Sequence, residues 1–227
     1  MTRMHLWSRL LVFGLSTCLA TTLDAQDGDQ AALSIREAGR QIGHEDFSLR
    51  PARPGRPVGD SLITVARYPE IRPQSTITGV LQQSTKGAPL SLSLDYQSSR
   101  QGETILASVG RNRVTLRRVA KGAESARELP GGELIVLLDD SLFATYLSLA
   151  SLVPDGPRSV TAIFPRTARR VALAVTRSAL PAARPDGSRT LIEFTGELAG
   201  RLFLDQSGHF IRLELPGRQI EVTRLRK

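Results

Sequence analysis

Two adjacent carboxylates, Asp139 and Asp140, are the best candidates in this sequence for acid–base chemistry. Paired carboxylates can exchange protons with a substrate when a shielded site holds them close together. The residues that follow them show a helical pattern, and a carboxylate just before a helix accepts hydrogen bonds from its free N–H groups. We therefore expect the pair to cap this helix, with acid–base catalysis as the alternative.

Histidine offers little material for a metal or catalytic site. His44 stands next to Glu45 in a predicted strand, where adjacent side chains point to opposite faces and cannot converge on one ion. His44 and Asp46 share a face, but two ligands are too few to hold a metal. His209 follows a predicted turn and is expected at the surface. We expect neither a metal nor a cofactor.

Motifs of nucleophilic enzymes are missing from the sequence. There is no Gly-x-Ser-x-Gly elbow and no glycine-rich phosphate loop. Cys18 is the only cysteine, and it lies in an N-terminal segment that is predicted to be removed. The sequence therefore predicts a protein that is not an enzyme. A hydrolase whose site is assembled from distant strands stays as an alternative.

Arginine accounts for nearly all of the basic residues behind the formal net charge of +8. The densest cluster is Arg166, Arg169 and Arg170, between two predicted strands. The forked donors of arginine suit phosphate and carboxylate groups, so this cluster is a candidate contact for anionic headgroups or an anionic membrane surface. A solvated loop is the alternative. Nucleic acid is not expected as a partner, because aromatic residues for base stacking are scarce and no nucleic-acid motif is present.

The first residues, 1–25, have the pattern of a secretory signal peptide. A positively charged start precedes a short apolar run, and cleavage is expected after Ala25 or Ala20. The residue before Cys18 is larger than lipoprotein signals usually carry, so lipid attachment there is not expected.

No later run is long and apolar enough to predict a membrane-spanning segment. We expect an exported protein, periplasmic in a Gram-negative-type bacterium or secreted, with a single β-rich domain over 26–227.

Alternation of apolar and polar residues predicts strands throughout the mature chain. The clearest strand is 89–96, where Leu90, Leu92, Leu94 and Tyr96 are expected on one face. Short turns rich in glycine, proline and asparagine separate the strands, as is typical of antiparallel neighbours. The other strands are predicted over residues 32–38, 42–50, 61–68, 75–84, 103–109, 112–119, 132–138, 158–164, 169–177, 189–195, 201–205, 210–215 and 220–223.

This pattern predicts a mainly β protein, built as a large curved antiparallel sheet or half-barrel. A closed up-and-down β-barrel is the alternative. One segment, about 141–153, has apolar residues at helical spacing and is predicted as an amphipathic helix that plugs the concave face. Two proline-rich loops, 50–60 and 180–188, are expected at the tips of hairpins.

The first and last predicted hairpins carry a set of turn and core residues: Gly39, Ile42, Gly43, Glu45 and Phe47 in the first, and Gly196, Leu198, Gly200, Leu202, Leu204, Asp205, Gly208, Leu213, Glu214 and Pro216 in the last. This pattern resembles that of poorly characterised exported β-proteins of bacterial envelopes. The layout of many antiparallel strands and a plug helix behind a signal peptide resembles the lipoprotein-carrier half-barrel superfamily. In that superfamily the open side of the half-barrel holds acyl chains, so the resemblance implies a carrier.

The function expected from these features is that of a periplasmic binding or carrier protein for a lipid, an acyl chain or another apolar ligand, or for an acylated protein. Each buried methylene group of an acyl chain contributes about 0.8 kcal/mol, so such a site needs few polar residues and leaves little sequence motif. The alternative is an interaction module of the cell envelope, which binds protein through a sheet edge or the arginine-rich loops. The residues expected to line the ligand site are Leu90, Leu92, Leu94, Tyr96, Phe143, Tyr146 and Leu147.

Overall fold

The structure, a computed structural model, describes residues 28–52, 58–68, 75–153, 156–180 and 184–225. The predicted signal peptide lies outside the described residues, as do the middle of the 50–60 loop and residues 181–183 of the 180–188 loop. Among the described residues, no helix combines the length and the apolar character that crossing a membrane would require.

Within the described ranges, fifteen strands form one sheet. The first eight are β1 (Gln30–Glu37), β2 (Arg40–Arg50), β3 (Val58–Tyr68), β4 (Ser75–Ser84), β5 (Pro89–Ser98), β6 (Gly102–Val109), β7 (Arg113–Ala120) and β8 (Ala123–Pro130). The remaining seven are β9 (Ile135–Leu137), β10 (Arg158–Phe164), β11 (Arg169–Ala179), β12 (Thr190–Gly196), β13 (Gly200–Leu204), β14 (Phe210–Leu215) and β15 (Ile220–Arg224).

The strand order is that of two meanders joined at one seam. It runs β8-β7-β6-β5-β4-β3-β2-β1-β15-β14-β13-β12-β11-β10-β9, so the antiparallel pairing of β1 with β15 joins the two halves. Neighbours are antiparallel except β9 and β10, which run parallel. Strand β9, at one edge, contacts β5, which shows that the sheet is strongly curved. The edges β8 and β9 are not paired with each other in the described chain, so the predicted curved open sheet is confirmed and the closed barrel is not formed.

One strand was not expected from the sequence. Strand β8, Ala123–Pro130, is exposed along nearly its whole length on both faces. It lacks the apolar alternation by which a half-buried strand is recognised, because all of its residues except Leu129 are exposed. The strand predicted over 132–138 is shorter than expected, with only Ile135–Leu137 in the sheet.

The concave face of the sheet is filled by a segment between β9 and β10. A 3₁₀ turn, Phe143–Tyr146, leads directly into the helix α1, Leu147–Leu152. Residues 142–153 are here called the plug. The prediction of a plug helix over about 141–153 is confirmed in its place on the concave face, but the α-helix is shorter than predicted and follows a 3₁₀ turn. Every residue over 142–149 is buried, so this part of the plug is not amphipathic as predicted. The plug side chains packed into the core are Leu142, Phe143, Tyr146, Leu147, Leu149 and Val153.

The prediction that Leu90 shares the buried face of its strand is wrong. Gln82 pairs with Ser91 but Gln83 pairs with Pro89, so Leu90 is the extra residue of a β-bulge. The bulge turns Leu90 outward, where it is 38% exposed, and places Pro89 on the buried side instead. Beyond the bulge the expected alternation resumes.

Gly79 of β4 leaves room for the plug. A Cβ atom at this position would lie 2.6 Å from Leu142 Cδ1 and 3.0 Å from Thr64 Cγ2. Leu142 is fully buried, so it cannot swing aside without disturbing its neighbours. The sheet therefore needs a residue without a side chain at the point where the plug begins.

We expect Gly79→Ala to lower the free energy of unfolding by about 1–2 kcal/mol, because it overpacks the contact between β4 and the plug. The measurement is chemical denaturation of the purified variant. In the double variant with Leu142→Ala, the loss should be smaller than the sum of the two single losses. Gly217→Ala is the matched control, since a Cβ there meets no atom within 4 Å. Additive losses in the double variant would contradict the proposed clash.

Candidate functional site

A buried carboxylate of the sheet holds the first turn of the plug. Glu45 is fully buried on β2, on the concave face, while its neighbours His44 and Asp46 point to the other face. Its Oε2 accepts a hydrogen bond from the Phe143 N–H at 2.7 Å, and its Oε1 accepts one from the Ala144 N–H at 3.0 Å. A strand side chain thus satisfies two of the N–H groups that the start of a helical segment leaves free.

Thr64, on the neighbouring strand β3, completes this arrangement. Its hydroxyl donates to Glu45 Oε1 at 2.5 Å. The carboxylate therefore accepts from three donors without contact with water. Burial raises the pKa of Glu45 from 4.5 to about 7, against the lowering effect of these three hydrogen bonds, and the nearby Asp139 carboxylate raises it further.

The prediction that Asp139 and Asp140 cap the helical segment is wrong. The residue before the 3₁₀ turn is Leu142, and it makes no side-chain capping bond. Asp139 Oδ1 accepts from the Ser141 N–H at 2.8 Å, two residues before the turn begins. The free N–H groups of the turn face the sheet, where Glu45 reaches them.

Both aspartates instead pair with arginines from distant turns. Arg166 Nη2 lies 3.2 Å from Asp139 Oδ1 and donates to Ser141 Oγ at 2.8 Å. Arg218 donates through Nη1 to Asp140 Oδ1 at 3.1 Å and through Nη2 to the Asp140 carbonyl at 2.9 Å. Burial raises the pKa of Asp139 above its usual range, while Arg166 lowers it. These pairs fix the chain directly before the plug.

A cleft of about 710 Å³ opens beside these ion pairs, at the end of the half-barrel that carries the β1–β2, β10–β11 and β14–β15 turns. We call it the rim cleft. The described residues of its walls combine aromatic and aliphatic side chains with three guanidinium groups and one carboxylate. Its lining residues are Glu37, Ala38, Arg40, Gln41, Ile42, Tyr68, Ser75, Ile77, Tyr96, Ser141, Arg166, Arg218 and Gln219.

Tyr68 connects the rim cleft to the plug. Its hydroxyl donates to the Ser141 carbonyl at 2.6 Å, one residue before the plug begins. Burial raises the pKa of this phenol, as do the nearby Glu45 and Asp139 carboxylates, so Tyr68 stays protonated and remains a donor. The same side chain thus borders the cleft and fixes the start of the plug.

The residues predicted to line an apolar ligand are divided between the core and the surface. Leu92, Leu94, Phe143, Tyr146 and Leu147 are buried together in the core, where sheet and plug pack against each other. Tyr96 is half-buried and lines the rim cleft, whereas Leu90 is exposed at the bulge. In this structure, therefore, the plug itself occupies the concave face.

The three arginines predicted to contact anionic headgroups also separate. Arg166 lines the rim cleft. Arg169 lines a neighbouring cleft with Asp140 and stacks its guanidinium 4.5 Å from the centre of the Phe164 ring. Arg170 is exposed on β11 and lines neither cleft. Sequence reasoning missed Arg40 and Arg218, which only the folding of separate turns brings to Arg166.

Within the described ranges, no group of three or more histidine, cysteine or acidic residues is arranged to hold a metal ion. His209 lies 3.1 Å through Nδ1 from Asp205 Oδ2, at the turn between β13 and β14. Neither His44 nor His209 lines the rim cleft or the neighbouring cleft at Asp140. The described clefts that contain Asp140 or adjoin Asp139 thus hold no histidine to act with them.

The sequence signal that could have identified Glu45 is its position in the alternation of β2. Gly43 and Phe47 lie two residues to either side and both are buried, so Glu45 is an acidic residue at an inward-facing position. A buried carboxylate needs partners, and free N–H groups at the start of a helical segment are one of the few kinds an apolar core can supply. The sequence pattern therefore predicts that Glu45 has a hydrogen-bonding partner in the core, but it does not predict that the partner is the plug.

Comparisons with known proteins return little. No protein-family model matches the chain, and no curated protein matches its sequence. The chain is similar to a DUF1089 family protein from Pseudomonas aeruginosa, known from a crystal structure at 1.80 Å, with 16% sequence identity and a TM-score of 0.46. The alignment covers 77% of this chain and 90% of that one. The resemblance to lipoprotein-carrier half-barrels stays a prediction.

We expect Glu45→Gln to remove a pH-dependent loss of stability. Because the folded pKa is raised above its ordinary value, the folded protein holds this proton more tightly than the unfolded chain does. The free energy of unfolding of the wild type should therefore fall by about 3 kcal/mol as the pH rises from about 4.5 through about 7. The glutamine variant, which mimics the protonated side chain, should lack this component.

The measurement is chemical denaturation of both proteins at pH 5 and pH 8.5. Between pH 5 and pH 8.5 the wild type should lose more free energy of unfolding than the variant, because only the wild type carries the Glu45 carboxyl group. Glu133→Gln, at an exposed position, is the control for removal of a carboxyl group. Identical pH dependence in the wild type and in Glu45→Gln would show that the carboxyl does not carry a raised pKa.

Proposed function

We propose that this chain is an exported binding or carrier protein for a lipid, an acyl chain or another apolar ligand, which takes the place of the plug on the concave face. One observation carries the proposal. The apolar inner face of a large open sheet is covered by a short segment that is not part of the sheet and that polar contacts hold at its start.

The inner face supplies an apolar surface long enough for an acyl chain. Strands from both meanders contribute fully buried residues to it, among them Leu33, Leu62, Leu92 and Leu213. The plug places the rings of Phe143 and Tyr146 on this surface, and Tyr146 packs 5.8 Å from Phe194 of β12. An apolar ligand would form contacts of the same kind, because the hydrophobic effect is not directional.

The exchange of plug for ligand is feasible on energetic grounds. Exposing a buried aromatic or leucine side chain to water costs about 1.5–3 kcal/mol. Release of the plug would expose several such side chains, so its cost is a multiple of this free energy. A long acyl chain stabilises the complex by about 0.8 kcal/mol for each methylene group that it buries. Over the whole chain, this gain is of the same order as the cost of releasing the plug. No strand pairing has to break, since the plug lies outside the sheet.

The two alternative functions find less support. The exposed edge strand β8 carries Glu124, Arg127 and Glu128 and ends at Pro130. Charged residues and proline are features by which edge strands avoid pairing with other chains, so β8 is a poor docking strand. The hydrolase alternative would be favoured by a cleft that joins Asp139 or Asp140 to a histidine. Instead Arg166 and Arg218 pair with these carboxylates, and the described clefts at them contain no histidine.

The first experiment is native mass spectrometry of the mature protein purified from a periplasm, followed by extraction of lipids. We expect a bound lipid or acyl-containing molecule, because the exchange needs a ligand that buries an apolar chain. Protein that carries no ligand and does not bind added fatty-acid probes would overturn the proposal. Purification under the same conditions of a periplasmic protein without an apolar site controls for nonspecific lipid.

A disulfide can test whether the plug must move. A Cβ atom built at Gly87, in the β4–β5 turn, would lie 2.9 Å from Ser151 Cβ at the end of the plug. Disulfides span Cβ separations of about 3.5–4.5 Å, so a small shift of this turn allows the bond. The positive φ of 77° at Gly87 adds a strain that the single variant Gly87→Cys measures separately.

We expect the oxidised double variant Gly87→Cys/Ser151→Cys to lose binding of a fluorescent fatty-acid probe, since the locked plug cannot leave the concave face. Reduction of the same sample should restore binding, and both single variants should bind as the wild type does. Equal binding by the oxidised and reduced forms would contradict displacement of the plug.

A further inference from the structure

We propose that the rim cleft binds the anionic headgroup of an amphiphile, whose apolar chain takes the place of the plug. This inference rests on the proposed function and assigns the class of its ligand, a single acyl chain with a phosphate-type or carboxylate headgroup. It follows from three features of the cleft, which are its free guanidinium donors, its apolar floor and its continuity with the start of the plug.

The guanidinium groups at the cleft retain unused donors. Both hydrogen bonds recorded for Arg166 come from Nη2, and those recorded for Arg218 come from Nη1 and Nη2. Arg40 is exposed and forms no ion pair with any residue of the described chain. Arginine offers five N–H donors in a planar fork, so each of the three can bind an oxygen of an anion.

The carboxylates near the cleft do not cancel this basic surface. Asp139 is almost completely buried on the inner side of Arg166, and Asp140 faces the neighbouring cleft. Among the described residues, Glu37 is the one carboxylate that lines the rim cleft. The described lining of the rim cleft thus presents three guanidinium groups and one carboxylate to an anion.

The floor of the cleft leads into the core. Ile77 lines the cleft and is almost fully buried in the core, and it pairs across β4 and β5 with Tyr96, which lines the cleft as well. Ile42 adds a further aliphatic side chain to the wall. A headgroup at the arginines would thus have its first methylene groups against an apolar surface that continues into the concave face.

The cleft also meets the plug where the plug begins. Ser141, whose side chain accepts from Arg166 and whose carbonyl accepts from Tyr68, lines the cleft. A headgroup that competes for Arg166 would weaken the contacts that fix this residue. Headgroup binding and release of the plug would then take place at the same point of the chain.

The test compares three ligands that differ in one feature at a time, measured by isothermal titration calorimetry below their aggregation concentrations. They are 1-oleoyl lysophosphatidic acid, 1-monoolein, which lacks the phosphate, and glycerol 3-phosphate, which lacks the acyl chain. We expect lysophosphatidic acid to bind at least about tenfold more tightly than monoolein, because charge-assisted hydrogen bonds to arginine form only with the phosphate. Glycerol 3-phosphate alone should bind far more weakly.

The variant Arg40→Gln should weaken the binding of lysophosphatidic acid about three- to tenfold and leave the binding of monoolein unchanged. The variant Arg218→Gln should lower the ratio of the affinity for lysophosphatidic acid to that for monoolein by a similar factor. Arg111→Gln is the matched control, because Arg111 is an exposed arginine in the turn between β6 and β7, which lies at the opposite end of the half-barrel. Arg40 lies in an exposed part of β2, so its replacement tests the cleft even if Arg218→Gln disturbs the fold through Asp140.

Each outcome separates the two proposals. Equal binding of lysophosphatidic acid and monoolein would overturn the headgroup site and leave the carrier function standing. If glycerol 3-phosphate binds as tightly as lysophosphatidic acid, the cleft is a site for free phosphate compounds. That result would overturn the inference that its ligand is an amphiphile. Failure of both acyl ligands to bind would overturn the proposed function together with this inference.

Discussion

The contact between the Glu45 carboxylate and the first N–H groups of the plug is the interaction on which the filled core depends. Without it, the start of the plug would bury Phe143 and Ala144 N–H groups with no partner, at a cost of about 1–3 kcal/mol each. The ionised carboxylate is itself unfavourable at zero exposure, and the three hydrogen bonds from Phe143, Ala144 and Thr64 offset part of that cost. Each partner is thus tolerable in the core only because the other is present.

Further contacts hold the chain before and at the start of the plug. Asp139, Asp140 and Ser141 are held by arginines of two distant turns, which direct the chain toward Glu45. Gly79 leaves space for Leu142 immediately afterwards. The plug therefore lies where three separate parts of the sheet meet, and the rim cleft is the open side of the same junction. This is why the rim cleft and the anchor of the plug share residues.

Much of this fold could be predicted from the sequence, because alternation and helical spacing are local patterns. Fourteen of the fifteen strands that the structure describes fall on segments with turn signals or alternation, and the plug falls on an apolar stripe. Strand β8 was not predicted, because its residues other than Leu129 are exposed and show no apolar alternation. Leu90 was misplaced because a bulge shifts the alternation by one residue, which depends on the partner strand rather than on the residues of β5.

The candidate site was less predictable for a different reason. Arg166 was identified as part of a local cluster, but Arg40 and Arg218 join it only through the curvature of the sheet. The capping role was assigned to Asp139 and Asp140 because they are adjacent in sequence, whereas the partner of the plug lies 98 positions away at Glu45. Spacing along a chain identifies neighbours on one element and gives no information on contacts between elements that meet across a concave face.

The pairing of β1 with β15 has a consequence for how the molecule folds. Residues of each meander pair with sequence neighbours, so either half can gain structure through short loops that close quickly. The seam joins Leu33 to Arg224, and together with the contacts of Glu45 and Tyr68 to the chain at the start of the plug it unites the two halves around one core. The entropy of closing a loop rises only with the logarithm of its length, and it is smaller still once each half is already compact. The seam is therefore suited to form last, as the step that makes two locally ordered halves one cooperative unit.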